Sequence, residues 1–406
     1  MVHFEPSETS ETLKRLPRQY FTYLAEKKAR LANEEWDMID LGIGNPDLPT
    51  PQFIVEELKE AADDSLNDQY GPDRGYDYLR EAVVNYYWRE YGVELDPQTE
   101  VAILHGSKAG TVEISQCLLN VGDTVLLPNP CYPDYFSGIA MADAVIEPLP
   151  LLAENHFLPK YDLLSKEVLD QARLMFLNYP NNPTSAVATP DFFRDTVEFA
   201  QKNHICVAHD FAYGTIGFDG EKPLSFLQTP GAKEVGVEFF TLSKSHNMAG
   251  WRMGFAVGNA SVIGAINLLQ DHTECGFYGG IQRAAAKALN GDQASVRELT
   301  AIYERRRDLF LAEMAGTGLE MYKPKGSFYI WMKVPAGFTS ENFLDYLAHE
   351  AHVFVAPGDG FGELGEGYVR IGLSQPDERL VEAARRISKL APFQIESETA
   401  VKVSAE

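Results

Sequence analysis

Short apolar stretches alternate with helical stretches over most of the chain, from about residue 45 to about residue 285. The stretches 124–127, 174–177 and 205–208 are short apolar runs, and the first and the third include β-branched residues, whereas 191–203 has the spacing of a helix. Strands that alternate with helices in this way form a mainly parallel sheet covered by helices. The pattern therefore predicts an α/β fold.

The length of the chain indicates more than one domain. A chain of 406 residues with 45% hydrophobic content can bury a large core, and single cores stop growing beyond about 250–300 residues. A long charged helix, at about 293–314, leads into a C-terminal region of mixed character. We predict an arm over 1–44 that packs on the small domain, a large domain over 45–290, a small α+β domain over 291–393 and a polar, disordered tail over 394–406.

Composition and charge argue against several kinds of partner. The net charge of −24 disfavours nucleic acids and anionic membranes, since both select basic surfaces. No apolar run approaches the length that crosses a bilayer, and the first residues lack the basic and apolar regions of a signal peptide. The four cysteines lack metal-site spacing, so we predict no metal, reduced thiols and a cytoplasmic protein.

Lys244 lies in the sequence TLSKSHNMAGWR, residues 241–252, which follows a nearly apolar run. A lysine amine has an ordinary pKa of about 10.4 and becomes a nucleophile when burial and neighbouring cations disfavour its charge. The hydroxyls of Thr241 and Ser243 and the guanidinium of Arg252 are suited to bind a phosphate group. A lysine that carries pyridoxal phosphate (PLP) needs this setting, although a strand end at the surface also fits these residues.

Two upstream segments supply the other groups that pyridoxal chemistry requires. Residues 178–184 read NYPNNPT, and residues 209–213 read HDFAY after an apolar run. Asp210 would pair with the pyridine nitrogen and keep it protonated, so that the ring can accept electrons. Tyr213 and Asn182 would hydrogen-bond the 3-oxygen of the ring. Each segment alone also fits an ordinary turn or a helix cap.

Together, these segments resemble the class I/II (fold type I) PLP-dependent aminotransferases, and the likeness extends over nearly the whole chain. The resemblance implies a large domain whose mainly parallel sheet contains one antiparallel strand, a small α+β domain and a homodimer. It places the cofactor's phosphate at the strand-turn-helix segment 103–111, where Ser107 and Lys108 would contact it at the positive end of a helix dipole. Tyr132, in the segment 128–135, would stack on the pyridine ring.

Three more residues receive roles only through this resemblance. Tyr70 would cross the dimer interface and offer its hydroxyl to the phosphate in the neighbouring subunit. The backbone of the loop around Gly44 would cover the substrate. Arg370, in an apolar run near the C-terminus, would bind the α-carboxylate of an amino acid through both guanidinium nitrogens, although a structural carboxylate would also satisfy a buried arginine. The segment 324–329 matches a family strand and is given a structural role.

A finer resemblance, over 178–184, 209–218, 223–228 and 247–259, is to aminotransferases of methionine salvage. It implies that the partners are an amino acid and a 2-oxo acid, with 2-oxo-4-methylthiobutanoate converted to methionine. Diaminopimelate, alanine and aspartate aminotransferases stay open as alternatives, as does a PLP-dependent β-lyase on the same fold, because specificity can depend on a few pocket residues.

The chain departs from the family pattern in two places. Ser185 follows NPT where the family usually has glycine, so altered backbone angles are expected there. The loop 271–282 has no Arg or Lys, which removes one route to recognising the distal acid of a dicarboxylate. Some family branches use a lysine at the position of Lys108 for that purpose, so acidic substrates stay open.

Overall fold

The computed structural model describes residues 9–31 and 36–391 of the chain. The predicted tail, 394–406, lies outside the described residues, as do short parts of the predicted arm and of the end of the small domain. The strands of the described part are β1 (Ile39–Asp40), β2 (Val101–Leu104), β3 (Thr124–Asn129), β4 (Val145–Pro150), β5 (Ala172–Asn178), β6 (Cys206–Asp210), β7 (Gly236–Thr241), β8 (Gly254–Gly258), β9 (Met321–Tyr322), β10 (Tyr329–Lys333), β11 (Val353–Phe354), β12 (Ala356–Pro357) and β13 (Tyr368–Gly372).

The helices connect these strands and cover them. Those of the described part are α1 (Glu11–Lys14), α2 (Tyr20–Leu31), α3 (Gln52–Ala62), α4 (Asp77–Tyr91), α5 (Ser107–Leu118), α6 (Tyr135–Ala142), α7 (Lys166–Gln171), α8 (Pro190–Asn203), α9 (Ala232–Val235), α10 (Leu242–Ser245), α11 (Ala260–Thr273), α12 (Gly279–Asn290), α13 (Ala294–Glu313), α14 (Ser340–Glu350) and α15 (Asp377–Ser388).

The larger sheet has seven strands in the order β2-β8-β7-β6-β5-β3-β4. Its neighbouring strands are parallel except where β8 pairs antiparallel with β2 and with β7. Along β5, Leu174 and Phe176 belong to one cluster of buried side chains, and Met175 and Leu177 belong to another. Because successive side chains of a strand point to opposite faces, both faces of the sheet are buried, as the continuous apolar run requires. The predicted α/β class and the single antiparallel strand are confirmed.

The carboxyl ends of β5, β6 and β7 lie side by side, because these strands are parallel neighbours. β5 ends at Asn178 and β6 ends at Asp210, and these two residues are direct partners in the register. β7 ends at Thr241 and leads into α10, which carries Lys244. The segments that the sequence singled out for cofactor chemistry therefore meet at one edge of the sheet, where open α/β folds bind ligands.

The C-terminal part of the chain forms a smaller, antiparallel sheet of four strands in the order β12-β13-β10-β9. β13 carries Arg370, which lies opposite Trp331 of β10. α13 packs against α15, and α14 contacts β11 and β12. This is the small α+β unit that the resemblance implies, whereas the domain limits proposed from the sequence stay predictions.

Helix α2 joins the N-terminal arm to the smaller sheet. The hydroxyl of Tyr20 donates a hydrogen bond to the backbone carbonyl of Pro357, at 2.7 Å. Lys27 forms ion pairs with Glu341 and with Asp345. β1, which lies near the end of the predicted arm, pairs with β11 in parallel. These contacts hold α2 above the edge of the larger sheet on which the predicted site residues lie.

Candidate active site

A cavity of about 880 Å³ opens between the larger and the smaller sheet. Side chains from both sheets and from α2 line it. It brings together all but one of the residues that the sequence analysis proposed for the site, namely Gly44, Ser107, Lys108, Tyr132, Asn182, Asp210, Tyr213, Thr241, Ser243, Lys244, Arg252 and Arg370. The exception is Tyr70, which lies outside the cavity of its own chain and is 90% exposed.

Lys244 projects from the one-turn helix α10 into this cavity. Thr241 caps the helix by accepting a hydrogen bond from the backbone N–H of Ser243, at 3.1 Å. The amine of Lys244 donates to the carbonyl oxygen of Gly44, at 2.7 Å. Burial lowers the pKa of Lys244 to about 8, and the charges of two nearby arginines act in the same direction. The amine is therefore much closer to its nucleophilic form at neutral pH than an exposed lysine is.

This lowered pKa gives a testable pH dependence. We expect the rate at which added PLP attaches to the cofactor-free protein to rise through pH 8 and to level off above it, because the amine of Lys244 loses its proton near a pKa of about 8. A surface lysine with a pKa of about 10.4 keeps gaining reactivity to higher pH. Stopped-flow absorbance of PLP measures the rate, and a rate that still rises steeply above pH 9 would contradict the assignment.

Asp210 lies buried at the end of β6 and faces the cavity. One carboxylate oxygen accepts a hydrogen bond from the hydroxyl of Tyr135, at 2.7 Å, and the other accepts from the backbone N–H of Ala212, at 3.2 Å. Burial raises the pKa of Asp210, and the hydrogen bond from Tyr135 is the largest effect that opposes this rise. A carboxylate accepts about four hydrogen bonds, so Asp210 can take another donor from the cavity.

An anion cradle lies at the N-terminus of α5. Gly106 precedes this helix with a φ of 80°, and a Cβ atom there would lie 2.2 Å from a guanidinium nitrogen of Arg252. The backbone angle therefore favours glycine at this position, and a side chain there would displace the guanidinium of Arg252 from the cradle. The hydroxyl of Ser107 and those of Thr241 and Ser243 line the same cavity. Free N–H groups, the helix dipole and a guanidinium together favour a phosphate.

Arg370 is buried without an acidic partner. Its two terminal nitrogens donate to the side-chain oxygen of Asn182 and to the carbonyl of Gly42, each at 2.8 Å. Within residues 9–31 and 36–391, no carboxylate forms an ion pair with it, and its Nε atom has no hydrogen-bond partner. A buried guanidinium with neutral partners is costly unless an anion joins it. The structural carboxylate considered as an alternative is therefore not found in this part of the chain.

Tyr213 and Tyr329 meet across the two sheets, with their hydroxyl oxygens 3.0 Å apart. The Tyr329 hydroxyl also approaches Gly44 so closely that a Cβ atom on Gly44 would lie 2.1 Å from it. The family resemblance implies only a structural role for Tyr329, yet this residue lines the cavity. Tyr135 was likewise not assigned a role, although it lies in the segment that contains Tyr132. No local pattern distinguishes either residue from an ordinary buried aromatic.

Lys108 lines the cavity, but its amine is paired with Asp134, at 2.9 Å. Its side chain is 48% exposed, and its contact with phosphate or with substrate stays a prediction. The segment that carries Tyr70 packs against the loop 271–282, since Arg74 forms an ion pair with Asp271 at 2.8 Å. The two segments thus form one surface outside the cavity.

Ser185 lies in a turn in which the family usually has glycine, and whether its backbone angles differ from the family's stays a prediction. Its φ is 60°, in the left-handed region that glycine adopts without strain. The hydroxyl of Ser185 donates to the carbonyl of Tyr329, at 2.7 Å, and lies 2.9 Å from the hydroxyl of Ser327. These contacts hold the serine in this left-handed conformation and connect the Asn182 loop to β10.

No cluster of three or more His, Cys, Asp or Glu side chains that could hold a metal occurs in the described residues. In the same part of the chain, none of the helices combines the length and the apolar character needed to cross a bilayer.

The side chains that line the cavity fit PLP. The cradle at α5 matches a phosphate, Asp210 matches a protonated ring nitrogen, and Lys244 matches the aldehyde.

Comparison with known proteins agrees with this geometry. The family model of aminotransferase class I and II matches residues 36–387. Over 386 residues the chain is 56% identical to the L-glutamine–4-(methylsulfanyl)-2-oxobutanoate aminotransferase of Bacillus subtilis (strain 168). The alignment covers 95% of this chain and 97% of that protein. It is 44% identical over 384 residues to an LL-diaminopimelate aminotransferase of Dehalococcoides mccartyi (strain ATCC BAA-2266 / KCTC 15142 / 195), with 95% and 98% covered. The structure of substrate-bound BacF from Bacillus subtilis has a TM-score of 0.91 at 48% identity and covers 95% of this chain and 98% of that one.

Proposed function

Since this chain belongs to the class I and II aminotransferases, we propose that it uses PLP attached to Lys244 to move an amino group between an amino acid and a 2-oxo acid. It is an aminotransferase with the fold type I architecture, and this family depends on PLP. The main support for the proposed site is that Arg370, a buried cation with neutral partners, faces the same cavity as Lys244. An α-carboxylate bound to Arg370 would hold the α-amino group near the lysine.

Five residues that line the cavity have a defined task in this proposal. When bound, PLP supplies an electron sink for chemistry at the α-carbon. Asp210 holds a proton at the pyridine nitrogen, and Tyr213 and Asn182 donate hydrogen bonds towards the 3-oxygen of the ring. Once its amine is free, Lys244 moves a proton at the α-carbon of the substrate. Arg370 orients that carbon through a two-point contact with the carboxylate.

For the substrate, we propose glutamine as the donor and 4-methylsulfanyl-2-oxobutanoate as the acceptor. The 56% identity to the Bacillus subtilis enzyme with these substrates supports this choice. The wall of the cavity formed by α2 supports it as well, since Phe21, Leu24 and Ala25 offer an apolar surface. Lys28, on the same face, is paired with Asp40 at 2.6 Å. A neutral, unbranched side chain fits such a wall better than an acidic one.

A substrate panel tests this proposal. We expect the purified protein with PLP to form methionine from glutamine and 4-methylsulfanyl-2-oxobutanoate, with a kcat/KM at least roughly tenfold above other pairs. The other arms are LL-diaminopimelate, alanine or aspartate, each with 2-oxoglutarate, and chromatography identifies the products. A preference for one of those donors would contradict the proposed substrate. A separate arm contains cystathionine without a 2-oxo acid, and release of homocysteine, pyruvate and ammonia there would indicate a β-lyase instead.

We also propose a homodimer with active sites completed across the interface. The exposure of Tyr70 and the packing of its segment beside the loop 271–282 support an interface at this surface.

The cytoplasmic location stays a proposal, which the four unpaired cysteines support.

Tyr70→Phe is expected to weaken PLP retention by the loss of one charge-assisted hydrogen bond, roughly 1.5–3 kcal/mol. Tyr70→Asp and Lys244→Ala should each be inactive alone, and a mixture that exchanges subunits should regain partial activity. One site of the mixed dimer then carries both lesions and the other carries neither. A mixture of Lys244→Ala and Asp210→Asn is the matched control and should show no recovery. No recovery with Tyr70→Asp, despite proven subunit exchange, would contradict shared sites.

Arg370→Lys should lower kcat/KM by a similar factor for glutamine and for methionine, roughly 10- to 100-fold. Lysine keeps the charge but cannot form the planar two-point contact with a carboxylate. Steady-state kinetics give the factor, and PLP affinity serves as the control because it should persist. A loss confined to a dicarboxylate donor would mean that Arg370 recognises the side chain, and loss of PLP itself would mean a structural role.

A further inference from the structure

Tyr329 lies buried on β10, between a residue proposed to bind the substrate and a residue proposed to bind the cofactor. The guanidinium carbon of Arg370 lies 4.2 Å from the centre of its ring. The hydroxyl oxygen of Tyr329 lies 3.0 Å from that of Tyr213. One side chain of the smaller sheet therefore contacts both the arginine proposed for the α-carboxylate and the tyrosine proposed for the 3-oxygen of PLP.

Three contacts from different parts of the chain hold Tyr329 in this place. Its backbone carbonyl accepts a hydrogen bond from the hydroxyl of Ser185, at 2.7 Å. Its ring meets that of Tyr213 nearly edge-on, with the ring centres 5.6 Å apart. Its hydroxyl lies against Gly44, where a Cβ atom would be only 2.1 Å away. The position of the hydroxyl is thus fixed by the protein itself.

The direction of the hydrogen bond between the two tyrosines follows from a count of protons. Either hydroxyl can be the donor, and each has one proton and two lone pairs. When Tyr213 donates its only proton to the 3-oxygen of PLP, it can only accept from Tyr329, which must then be the donor. Within residues 9–31 and 36–391, Tyr213 is the one hydrogen-bond partner of the Tyr329 hydroxyl, so this proton has no competing acceptor there.

We propose that Tyr329 is a positioning residue that donates its hydroxyl proton to Tyr213 and so keeps the proton of Tyr213 directed at the 3-oxygen of PLP. This rests on the proposed function, in which PLP is attached to Lys244. Hydrogen bonds in a chain polarise one another, so a donor to Tyr213 makes Tyr213 itself a stronger donor. Tyr329 acts through Tyr213 and needs no contact with the reacting atoms.

The absorbance of PLP attached to Lys244 reports this chain of hydrogen bonds without turnover. The absorbance band changes with pH as the nitrogen that joins the lysine to PLP gains or loses a proton. The negative charge on the neighbouring 3-oxygen stabilises the protonated nitrogen. A hydrogen bond from Tyr213 to that oxygen weakens this stabilisation and lowers the midpoint of the titration. Loss of the hydrogen bond therefore raises the midpoint.

We expect Tyr329→Phe to raise this midpoint by roughly 0.5 pH unit, because it weakens the hydrogen bond from Tyr213 without removing it. The phenylalanine keeps an aromatic ring beside Arg370. Tyr213→Phe removes the hydrogen bond to the 3-oxygen and should raise the midpoint by about 1–2 pH units, the size expected for one hydrogen bond to a charged group. In the Tyr213→Phe background, Tyr329→Phe should cause no further shift, because the two residues act in series.

Tyr303→Phe is the matched control. The hydroxyl of Tyr303 is also buried, and it has no hydrogen-bond partner in the part of the chain that the structure describes. Its ring stacks on that of Phe328, the residue before Tyr329, with the ring centres 4.9 Å apart. Loss of this hydroxyl should leave the midpoint where it is in the wild type, which shows that a buried hydroxyl near the site is not enough to cause the shift.

Two outcomes would overturn the positioning role of Tyr329. One is an unchanged midpoint in Tyr329→Phe, and the other is an equal shift on Tyr329→Phe in the presence and in the absence of the Tyr213 hydroxyl. If Tyr329→Phe does not fold, 3-fluorotyrosine in place of Tyr329 decides. Its more acidic hydroxyl is a stronger donor and should lower the midpoint, whereas no change would contradict the role. The proposed function fails separately: the pH-dependent band would then persist in Lys244→Ala.

Discussion

Lys244→Ala is expected to remove covalent attachment of PLP and to lower turnover by about 10⁴-fold, because one amine both binds the cofactor and moves the proton at the α-carbon. The structure offers no substitute within the described residues, since the other lysines of the cavity are Lys28 and Lys108, and both are held in ion pairs. PLP should still enter the cavity, because the anion cradle at α5 does not depend on Lys244.

Borohydride reduction followed by mass spectrometry measures the attachment, and single-turnover kinetics with glutamine measure the chemical step. Lys108→Ala is the matched control, since it removes another amine from the same cavity and should keep the reducible adduct. Transamination by Lys244→Ala at a rate near that of the wild type would refute the assignment of the lysine.

Asp210→Asn is expected to keep PLP bound and to slow each half-reaction by roughly 10³-fold, the order seen when one aligned electrostatic group is removed from an active site. An amide matches the carboxylate in shape but cannot hold the proton on the pyridine nitrogen. Burial makes this loss larger, because little water reaches Asp210 to replace the charge.

Stopped-flow absorbance separates the chemical step from binding in this variant. Tyr135→Phe is the matched control, because it removes one hydrogen bond from Asp210 while it leaves the carboxylate in place. It should cost about tenfold, as expected for one hydrogen bond to a charged group. If the half-reaction rates of Asp210→Asn equal those of the wild type, Asp210 is a structural residue.

The positions of Asn182, Asp210 and Lys244 could be anticipated from the sequence, because each follows a strand of a parallel sheet. Such strands end at the same edge, so residues that follow them converge without any knowledge of the packing. The position of Arg370 could not be anticipated in this way. It lies on the smaller sheet, and only its resemblance to a family position suggested that it faces Lys244.

The contacts of Tyr135 and Tyr329 could not be predicted at all. A buried aromatic has the same local sequence whether it fills a core or donates to a catalytic group. Tyr135 reaches Asp210 across 75 residues, and Tyr329 reaches Tyr213 across 116 residues. The contacts of Ser185 could not be predicted either, since its hydroxyl reaches the backbone carbonyl of Tyr329 across 144 residues.

The amino-acid sequence is sufficient to predict the fold class and the order of the cofactor-binding segments along the chain, because alternating strands and helices allow few topologies. It also determined which residue types are available for pyridoxal chemistry. Only the folded chain shows which side chains touch: the pairing of Tyr135 with Asp210, the neutral partners of Arg370 and the contact between Tyr213 and Tyr329. Such contacts depend on strand register and on the packing of distant segments, which local sequence does not encode.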